Sequence, residues 1–321
     1  MNVSQALEHA NSLFIPDLLF SFGNDAVQAE CAKNEEAIKV LREAWDTEES
    51  PGFSFDIVRD LADRNRALCD ELDQDALADR RGMNLTRGLS DADLVRGVAV
   101  LQGRDPDDVA RDVRGGRGAI GTVLATSPVR GAVAEVDIET TSRDPDRGYI
   151  INIGWEFMDL APEAEPVGGR SFFCGLPEAY QGKKVPLERI HHITMDDLEG
   201  RLPFREDKKL QANLLALLEA CPYMAHNAAF EDSWFMLHLD GYAESRKAGR
   251  IVPVDTRDIC RSLDRDAALL PRESNPASLQ NWARRRGTLA AGENERHLGL
   301  DDTDLMLRTV REEFKLRNIF A

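Results

Sequence analysis

Two patterns of hydrophobic and polar positions divide the chain. Before residue 113 the apolar residues recur at helical spacing, which predicts helices over 25–45 and 55–72. Ser90 and Asp93 resemble a capping box that opens a further helix, ending near residue 101. The Gly-rich stretch 114–118 is typical of a linker or tight turn. From residue 131 onward the pattern of hydrophobic and polar positions predicts both strands and helices. We therefore predict a helical region, residues 1–127, and an α/β region, residues 128–321.

The first strand of the α/β region, predicted over 132–139, carries acids at alternate positions. Apolar residues at 134, 136 and 138 alternate with Glu135, Asp137 and Glu139, the period of a strand with one buried face. Asp137 and Glu139 then share a face, where two carboxylates repel each other unless a cation lies between them. Such hard oxygen ligands favour Mg²⁺ or Mn²⁺. Because the chain has 57 acidic residues, the pair alone is more typical of a solvated strand face than of a metal site.

The later segments complete an α/β pattern. A strand over 149–157 forms a hairpin with the first strand across a turn rich in Asp, Pro and Gly. Phe172 and Phe173 mark a third strand, and an amphipathic helix follows over 208–220. The remaining predicted elements are a short strand at 222–225, a helix at 229–239, a strand or loop at 252–256, and helices at 278–285 and 302–314.

Composition limits the class of protein. A chain of 321 residues is long enough for two domains, and 42% hydrophobic with 30% charged residues is typical of a globular protein. No apolar run has the length of a membrane span, and the N-terminus lacks a basic then apolar leader. The five cysteines are scattered, without Cys-x-x-Cys spacing. We expect reduced thiols in a cytoplasmic protein, with no zinc site, disulfide frame or membrane contact.

The net charge is −17. Counting Lys and Arg against Asp and Glu, the helical region has 14 − 24 = −10 and the α/β region has 26 − 33 = −7. Proteins that grip nucleic acid electrostatically are usually basic. The charge therefore argues against a tight nonspecific binder, but it allows an enzyme that meets phosphate through metal ions.

Three further segments carry candidate chemistry. A strand-to-helix junction runs from His226 to Glu231 and places a carboxylate in the first helical turn. Ile190 and His191 lie between the second strand and the helix at 208–220. His297 precedes Asp302 by five residues, which is not a same-face helical spacing. We therefore expect His297 to project from a loop and Asp302 from the start of a helix.

Taken in order, these motifs resemble the DEDDh branch of the DEDD superfamily of 3′→5′ exonucleases. Ribonuclease T and the proofreading epsilon subunit of bacterial DNA polymerase III belong to this branch. The resemblance covers about residues 130–315, and each motif gains weight from the presence of the others. The matching positions are Asp137, Glu139, Thr140 and Thr141 in motif one, Ile151 to Gly154 in the next strand, His226 to Glu231 in motif two, and His297 with Asp302 in motif three.

The resemblance implies a fold, an activity and a set of site residues. The fold is α/β, a ribonuclease H-like exonuclease domain with a mixed sheet flanked by helices, preceded by a mostly α-helical N-terminal domain. The activity is metal-dependent hydrolysis of phosphodiester bonds from 3′ ends, with two Mg²⁺ or Mn²⁺ ions and a histidine general base. The implied ligands are Asp137, Glu139, Glu231 and Asp302, the implied base is His297, and the implied substrate contacts are Ile138, Thr140, Thr141, Ile190, His191 and Phe230.

Several alternatives stay open at the level of sequence. The motif-two acid is normally Asp, and here Glu231 keeps the spacing while the next residue, Asp232, keeps the shorter side chain but lies about 100° round the helix. We assign Glu231. The substrate is nucleic acid with a 3′ end, and we favour DNA over RNA, although an exoribonuclease of the same family differs only in its handling of the 2′-hydroxyl. A further alternative is a non-catalytic, exonuclease-like partner protein; the loss of a ligand would favour it, and every ligand position here carries an acid. The helical region is expected to bind a protein partner.

Overall fold

The computed structural model describes residues 1–72, 88–113 and 120–321. The Gly-rich stretch predicted as a linker, residues 114–118, lies outside the described residues. The boundary between two domains at residue 127 therefore stays a prediction. Within the described residues no helix is long and apolar enough to cross a membrane.

The described part of the helical region is built from α-helices, as the sequence pattern predicts. The helix that follows Ser90 has the predicted capping box, because the Ser90 hydroxyl accepts the Asp93 N–H while the Asp93 carboxylate accepts the Ser90 N–H. The helices are α1 (Val3–Ala10), α2 (Pro16–Phe20), α3 (Asn24–Thr47), α4 (Asp56–Glu71), α5 (Asp91–Gln102), α6 (Pro106–Asp112) and α7 (Ile120–Thr126).

The α/β region contains a mixed five-stranded sheet in the order β3-β2-β1-β4-β5. The first three strands form an antiparallel meander, and β4 and β5 run parallel to β1. This topology puts β1, with its acids, at the centre of the sheet. The strands are β1 (Ala132–Thr140), β2 (Ile150–Asp159), β3 (Val167–Phe173), β4 (Tyr223–Ala225) and β5 (Pro253–Asp255).

Helices flank this sheet, in agreement with the predicted α/β class. The amphipathic helix has the predicted bounds, 208–220. The last helix begins at Gly299, three residues before the predicted start, so Asp302 lies within its first turn. The helices are α8 (Glu188–His191), α9 (Met195–Leu198), α10 (Lys208–Ala220), α11 (Ala229–His238), α12 (Tyr242–Lys247), α13 (Thr256–Leu263), α14 (Arg265–Leu269), α15 (Leu279–Arg286) and α16 (Gly299–Arg317), with 3₁₀ turns at Glu178–Tyr180 and Arg272–Ser274.

The pattern of β1 predicts one buried face, but in the structure both faces are largely covered. Helix α16 packs over β1 and β2, so most of the acid-bearing face is covered as well. Glu135 is 1% exposed, and Asp137 and Glu139 are only partly accessible. The alternation of apolar and acidic residues therefore marks a largely buried acidic site on the central strand of the sheet.

One apolar core runs through both regions. Buried Leu41 and Phe55 of the helical region belong to the same cluster as Val136 of β1 and Phe314 of α16. Helix α4 also packs against α11 and the 3₁₀ turn at Glu178–Tyr180. The helical region thus lies directly against the part of the sheet that carries the acids.

Candidate metal-binding site

The central strand and the last helix bring two of the predicted motifs together. Asp137 lies opposite Gly154 in the antiparallel pair of β1 and β2. Gly154 in turn touches Gly299, and the Asn152 side chain accepts the Gly299 N–H at 3.1 Å. These contacts fix the start of α16 over the centre of the sheet. They place Asp302, in the first turn of that helix, beside the acids of β1.

The turn before α11 brings in the fourth carboxylate. Asn227 has a positive φ of 91°, which reverses the chain between β4 and α11. His226 braces this turn, with Nδ1 3.1 Å from the Thr256 hydroxyl and Nε2 2.8 Å from the Ala277 carbonyl. Glu231 follows in the first helical turn, 4% exposed, and burial, then Asp255 and Glu139, raises its pKa well above the usual value. Glu231 therefore faces the acids of β1.

The neighbouring acid, Asp232, has a different environment. Its Oδ1 accepts a hydrogen bond of 2.7 Å from the Tyr242 hydroxyl and one of 2.9 Å from Arg246 Nε. This carboxylate is therefore engaged with α12, on another side of α11. By contrast, the Oε2 atom of Glu231 is buried and accepts no hydrogen bond from any described residue.

Crowding of buried carboxylates shifts their pKa values upward. Burial first, and then Glu139 and Asp302, raises the pKa of Asp137 well above its usual range. Burial, Asp302 and Glu295 raise the pKa of Glu139 to about 9. Burial and Glu295 raise the pKa of Asp302 to about 8. The pKa shifts share one physical origin, which is negative charge concentrated where water is scarce.

His297 lies at the edge of this cluster. It precedes α16 in a loop with a positive φ of 52°, and its side chain is 43% exposed. Ligand atoms of Glu139, His297 and Asp302 all lie within 4.8 Å of one another. The backbone N–H groups of Arg296 and His297 lower the pKa of Asp302 in part, against the larger effect of burial. The arrangement agrees with the predicted split between a loop histidine and a helical carboxylate.

The residues present fit a hard divalent cation. Asp137 Oδ2, Glu231 Oε2 and Asp302 Oδ1 are buried and have no hydrogen-bond partner among the described residues. A buried, ionised oxygen without a partner is costly unless a cation satisfies it. Carboxylate oxygens are the donors that Mg²⁺ and Mn²⁺ prefer. We take the group of Asp137, Glu139, Glu231 and Asp302 as a candidate metal-binding site and name it the acidic cluster.

The six predicted substrate contacts differ in accessibility. Ile138, Thr140 and Thr141 are buried, and both hydroxyls are used within the turn after β1. His191 is 1% exposed, with Nε2 2.9 Å from the Pro186 carbonyl and Nδ1 accepting the Ile193 N–H at 3.0 Å. Its ring therefore braces its own segment. Ile190 remains 36% exposed, and half-buried Phe230 packs against Trp234.

Two acids near the cluster were not predicted as site residues. Glu135 lies one alternate position behind Asp137 on β1, and burial, Glu231 and Asp302 raise its pKa well above the usual value. Glu295 Oε1 lies 3.9 Å from His297 Nδ1. The sequence did contain a signal for Glu135, because it occupies the same alternating positions of β1 as Asp137 and Glu139. No local pattern distinguishes Glu295 from the other acids of so acidic a chain.

An open cavity of about 390 Å³ adjoins the His297 loop. His192 and Ile193 line it on one side, and Asn294, Glu295 and Arg296 line it on the other. The cavity thus joins the segment after α8 to the residues that precede α16. It provides space for a ligand beside the loop that carries His297.

Compared by sequence, the chain matches no protein-family model and no curated protein. Compared by structure, 59% of the chain is similar to E. coli exonuclease I in its zinc-bound complex with single-stranded DNA, at 16% identity and a TM-score of 0.42. The chain spans 41% of that protein. A second similarity is to the structure of the yeast NOT1 MIF4G domain crystallised with CAF1, with 13% identity, a TM-score of 0.42, and coverage of 57% of this chain and 79% of the other. Neither likeness is close enough to assign a function to this chain.

Proposed function

We propose that the protein is a metal-dependent 3′→5′ exonuclease that hydrolyses phosphodiester bonds from the 3′ ends of nucleic acid, with DNA favoured over RNA. The observation that carries the proposal is the acidic cluster itself. Three of its four carboxylates have a buried oxygen without a hydrogen-bond partner among the described residues, and a histidine lies at its edge. The proposal includes a ribonuclease H-like assignment for the α/β region and a cytoplasmic location.

Asp137, Glu139, Glu231 and Asp302 would hold two divalent ions in this scheme. Bound there, Mg²⁺ or Mn²⁺ would neutralise the charge that develops on the scissile phosphate and on the leaving 3′-oxygen. The cluster's own part is to bring four carboxylates from three different elements to one place. Two lie on the central strand, one lies at the start of α11, and one lies at the start of α16.

His297 is the proposed general base. Its ring is accessible to solvent, and its ligand atom lies within 4.8 Å of those of Glu139 and Asp302. A neutral imidazole in that position takes the proton of the attacking water as the phosphodiester bond breaks. Glu295, beside Nδ1, favours the imidazolium that results, because it places a negative charge close to the ring.

The substrate end is proposed to lie between the turn after β1 and the segment that contains Ile190. Exposed Ile190 and half-buried Phe230 offer apolar contacts for a terminal base. Thr140 and Thr141 contribute backbone groups at the end of β1, because their hydroxyls are engaged within the turn. The structural and sequence comparisons do not support a protein partner for the helical region.

The decisive test is to determine from which end of a nucleic-acid strand the protein removes nucleotides. A single-stranded DNA oligonucleotide labelled at its 5′ end should give a descending ladder of labelled products in Mg²⁺ or Mn²⁺. The same oligonucleotide labelled at its 3′ end should release labelled mononucleotide first, and a blocking group on the 3′ end should prevent degradation. Internal fragments from a blocked or circular strand would show an endonuclease and would contradict the proposal.

A further inference from the structure

The helical region contacts the turn between β1 and β2 through polar side chains on α3 and α4. We call residues 141–149 the hairpin turn, since they connect the two strands. Four side chains of the helical region bond to it, each to a different residue. The contacts are Arg147 to Glu35 (2.8 Å), Asn65 to the Asp146 carboxylate (2.8 Å), Arg66 to the Pro145 carbonyl (2.9 Å) and Tyr149 to Asp70 (2.5 Å).

One of these residues, Asp70 on α4, reaches a second loop. Its other carboxylate oxygen accepts a hydrogen bond of 3.1 Å from the Tyr180 hydroxyl. The rings of Tyr149 and Tyr180 meet edge to face, with centroids 5.8 Å apart. Tyr180 ends the 3₁₀ turn that leads to Ile190. Asp70 therefore joins the hairpin turn to the segment 178–191. Asp70 belongs to the helical region, whereas both loops belong to the α/β region.

Both loops border the proposed substrate pocket. The hairpin turn begins at Thr141, whose hydroxyl accepts the Tyr149 N–H at 2.9 Å. A displacement of Tyr149 is therefore transmitted directly to Thr141. The segment 178–191 carries Ile190. Asn65 and Arg66 are almost fully buried, so water cannot readily replace the bonds that they make to the turn.

We infer that the helical region positions the substrate pocket of the α/β region, with Asp70 as the positioning residue that holds both loops. The inference rests on the proposed function, because it assigns the two loops to substrate binding. Asp70 acts through Tyr149 and Tyr180 and does not belong to the acidic cluster. Its loss weakens binding of the substrate and of the transition state alike, relative to the free enzyme, which raises KM and leaves kcat largely unchanged.

The test compares variants of the full chain. Asp70→Ala removes the shared acceptor, and the double variant Tyr149→Phe with Tyr180→Phe removes the two donors and keeps the carboxylate. Asp70→Asn retains one acceptor oxygen and should rescue part of the effect. The matched control is Lys247→Met, which breaks bonds of 2.6 and 2.5 Å to the Trp45 and Glu48 carbonyls elsewhere on the same interface.

Two measurements give the outcome. Hydrogen–deuterium exchange, without nucleic acid, should rise in residues 141–149 and 178–191 of Asp70→Ala and of the double tyrosine variant, but not in Lys247→Met. With an oligonucleotide substrate, KM should rise about tenfold while kcat changes less than about twofold.

Each other result has a distinct meaning. Unchanged exchange in both loops overturns the inference whatever the activity. Faster exchange with an unchanged KM overturns the link to substrate binding. The double tyrosine variant decides the matter if Asp70→Ala does not fold. A wild-type protein without nuclease activity refutes the proposed function before any variant is made, so the two failures are distinguishable.

Discussion

Gly154 and Gly299 pack backbone against backbone. A Cβ atom built on Gly154 would lie 2.1 Å from the Gly299 carbonyl carbon and 2.3 Å from the Leu300 nitrogen. The first residue of α16 therefore lies directly on β2, at the position opposite Asp137. This close approach sets the distance between the acids of β1 and Asp302. Only glycine permits it, because any side chain at either position would separate the helix from the sheet.

The first prediction concerns this contact. Gly154→Ala should displace the start of α16, because backbone atoms cannot yield as a flexible side chain can. A shift of about 1 Å at Asp302 and His297 should lower the nuclease rate about 10²-fold. Gly292→Ala is the matched control, since a Cβ there has no neighbour within 4 Å. Steady-state kinetics on both variants checks this, and a Gly154→Ala protein with wild-type rate contradicts the proposed placement.

The second prediction separates two adjacent acids. Glu231→Gln keeps the size of the side chain and removes a charge from the acidic cluster, so kcat/KM should fall about 10³-fold or more. Asp232→Asn should cost less activity, because that carboxylate bonds Tyr242 and Arg246. It should mainly lower the melting temperature. If Asp232→Asn loses more activity than Glu231→Gln, the motif-two ligand is Asp232.

The third prediction assigns different roles to His297 and Asp302. His297→Ala should lower the rate about 10²–10⁴-fold by removing the base, while Mn²⁺ binding stays close to that of the wild type. Asp302→Ala should weaken Mn²⁺ binding as well as the rate. Calorimetric titration of Mn²⁺ into both variants measures the difference. Equal loss of Mn²⁺ affinity would make His297 a ligand and leave the base unassigned.

The fourth prediction concerns the metal-free protein. The folded pKa values of Glu139, about 9, and Asp302, about 8, lie above their ordinary values of 4.5 and 3.8. Between about pH 5 and pH 8 the unfolded chain has released these protons and the folded protein still holds them, so stability should fall as pH rises. The expected slope is about 1.4 kcal/mol per pH unit for each extra proton bound by the folded state.

Thermal melts in EDTA across this pH range measure the slope. Added Mn²⁺ should restore stability most strongly at the high end of the range, because the cation replaces the protons that the acidic cluster loses. A melting temperature that rises with pH in EDTA, or that does not change when Mn²⁺ is added, contradicts a metal site at these carboxylates.

Much of the α/β region was predictable because its signals are local. The period of β1 placed Asp137 and Glu139 on one face, and the amphipathic pattern placed α10 at its observed bounds. The interval between His297 and Asp302 indicated a loop followed by a helix, although the helix begins at Gly299, three residues before the predicted start. That glycine is the point of closest approach to β2.

Other features depend on contacts between residues far apart in the chain, and these leave no local pattern. Glu295 is one acid among 57 until the fold places it beside His297. The burial of both faces of β1 depends on α16, which lies more than a hundred residues later. The link from Asp70 to Tyr149 and Tyr180 crosses between the two regions. Only the assembled structure shows such relationships.

The most direct measurement of the central claim is the degradation of end-labelled DNA and RNA oligonucleotides in Mg²⁺, Mn²⁺ and EDTA, with Asp137→Asn as the matched variant. We expect stepwise shortening of DNA from the 3′ end in either metal, faster than that of RNA. We expect no shortening in EDTA and a loss of several orders of magnitude in Asp137→Asn. Degradation that persists in EDTA or in Asp137→Asn, or no degradation of either nucleic acid under any condition, would contradict the account.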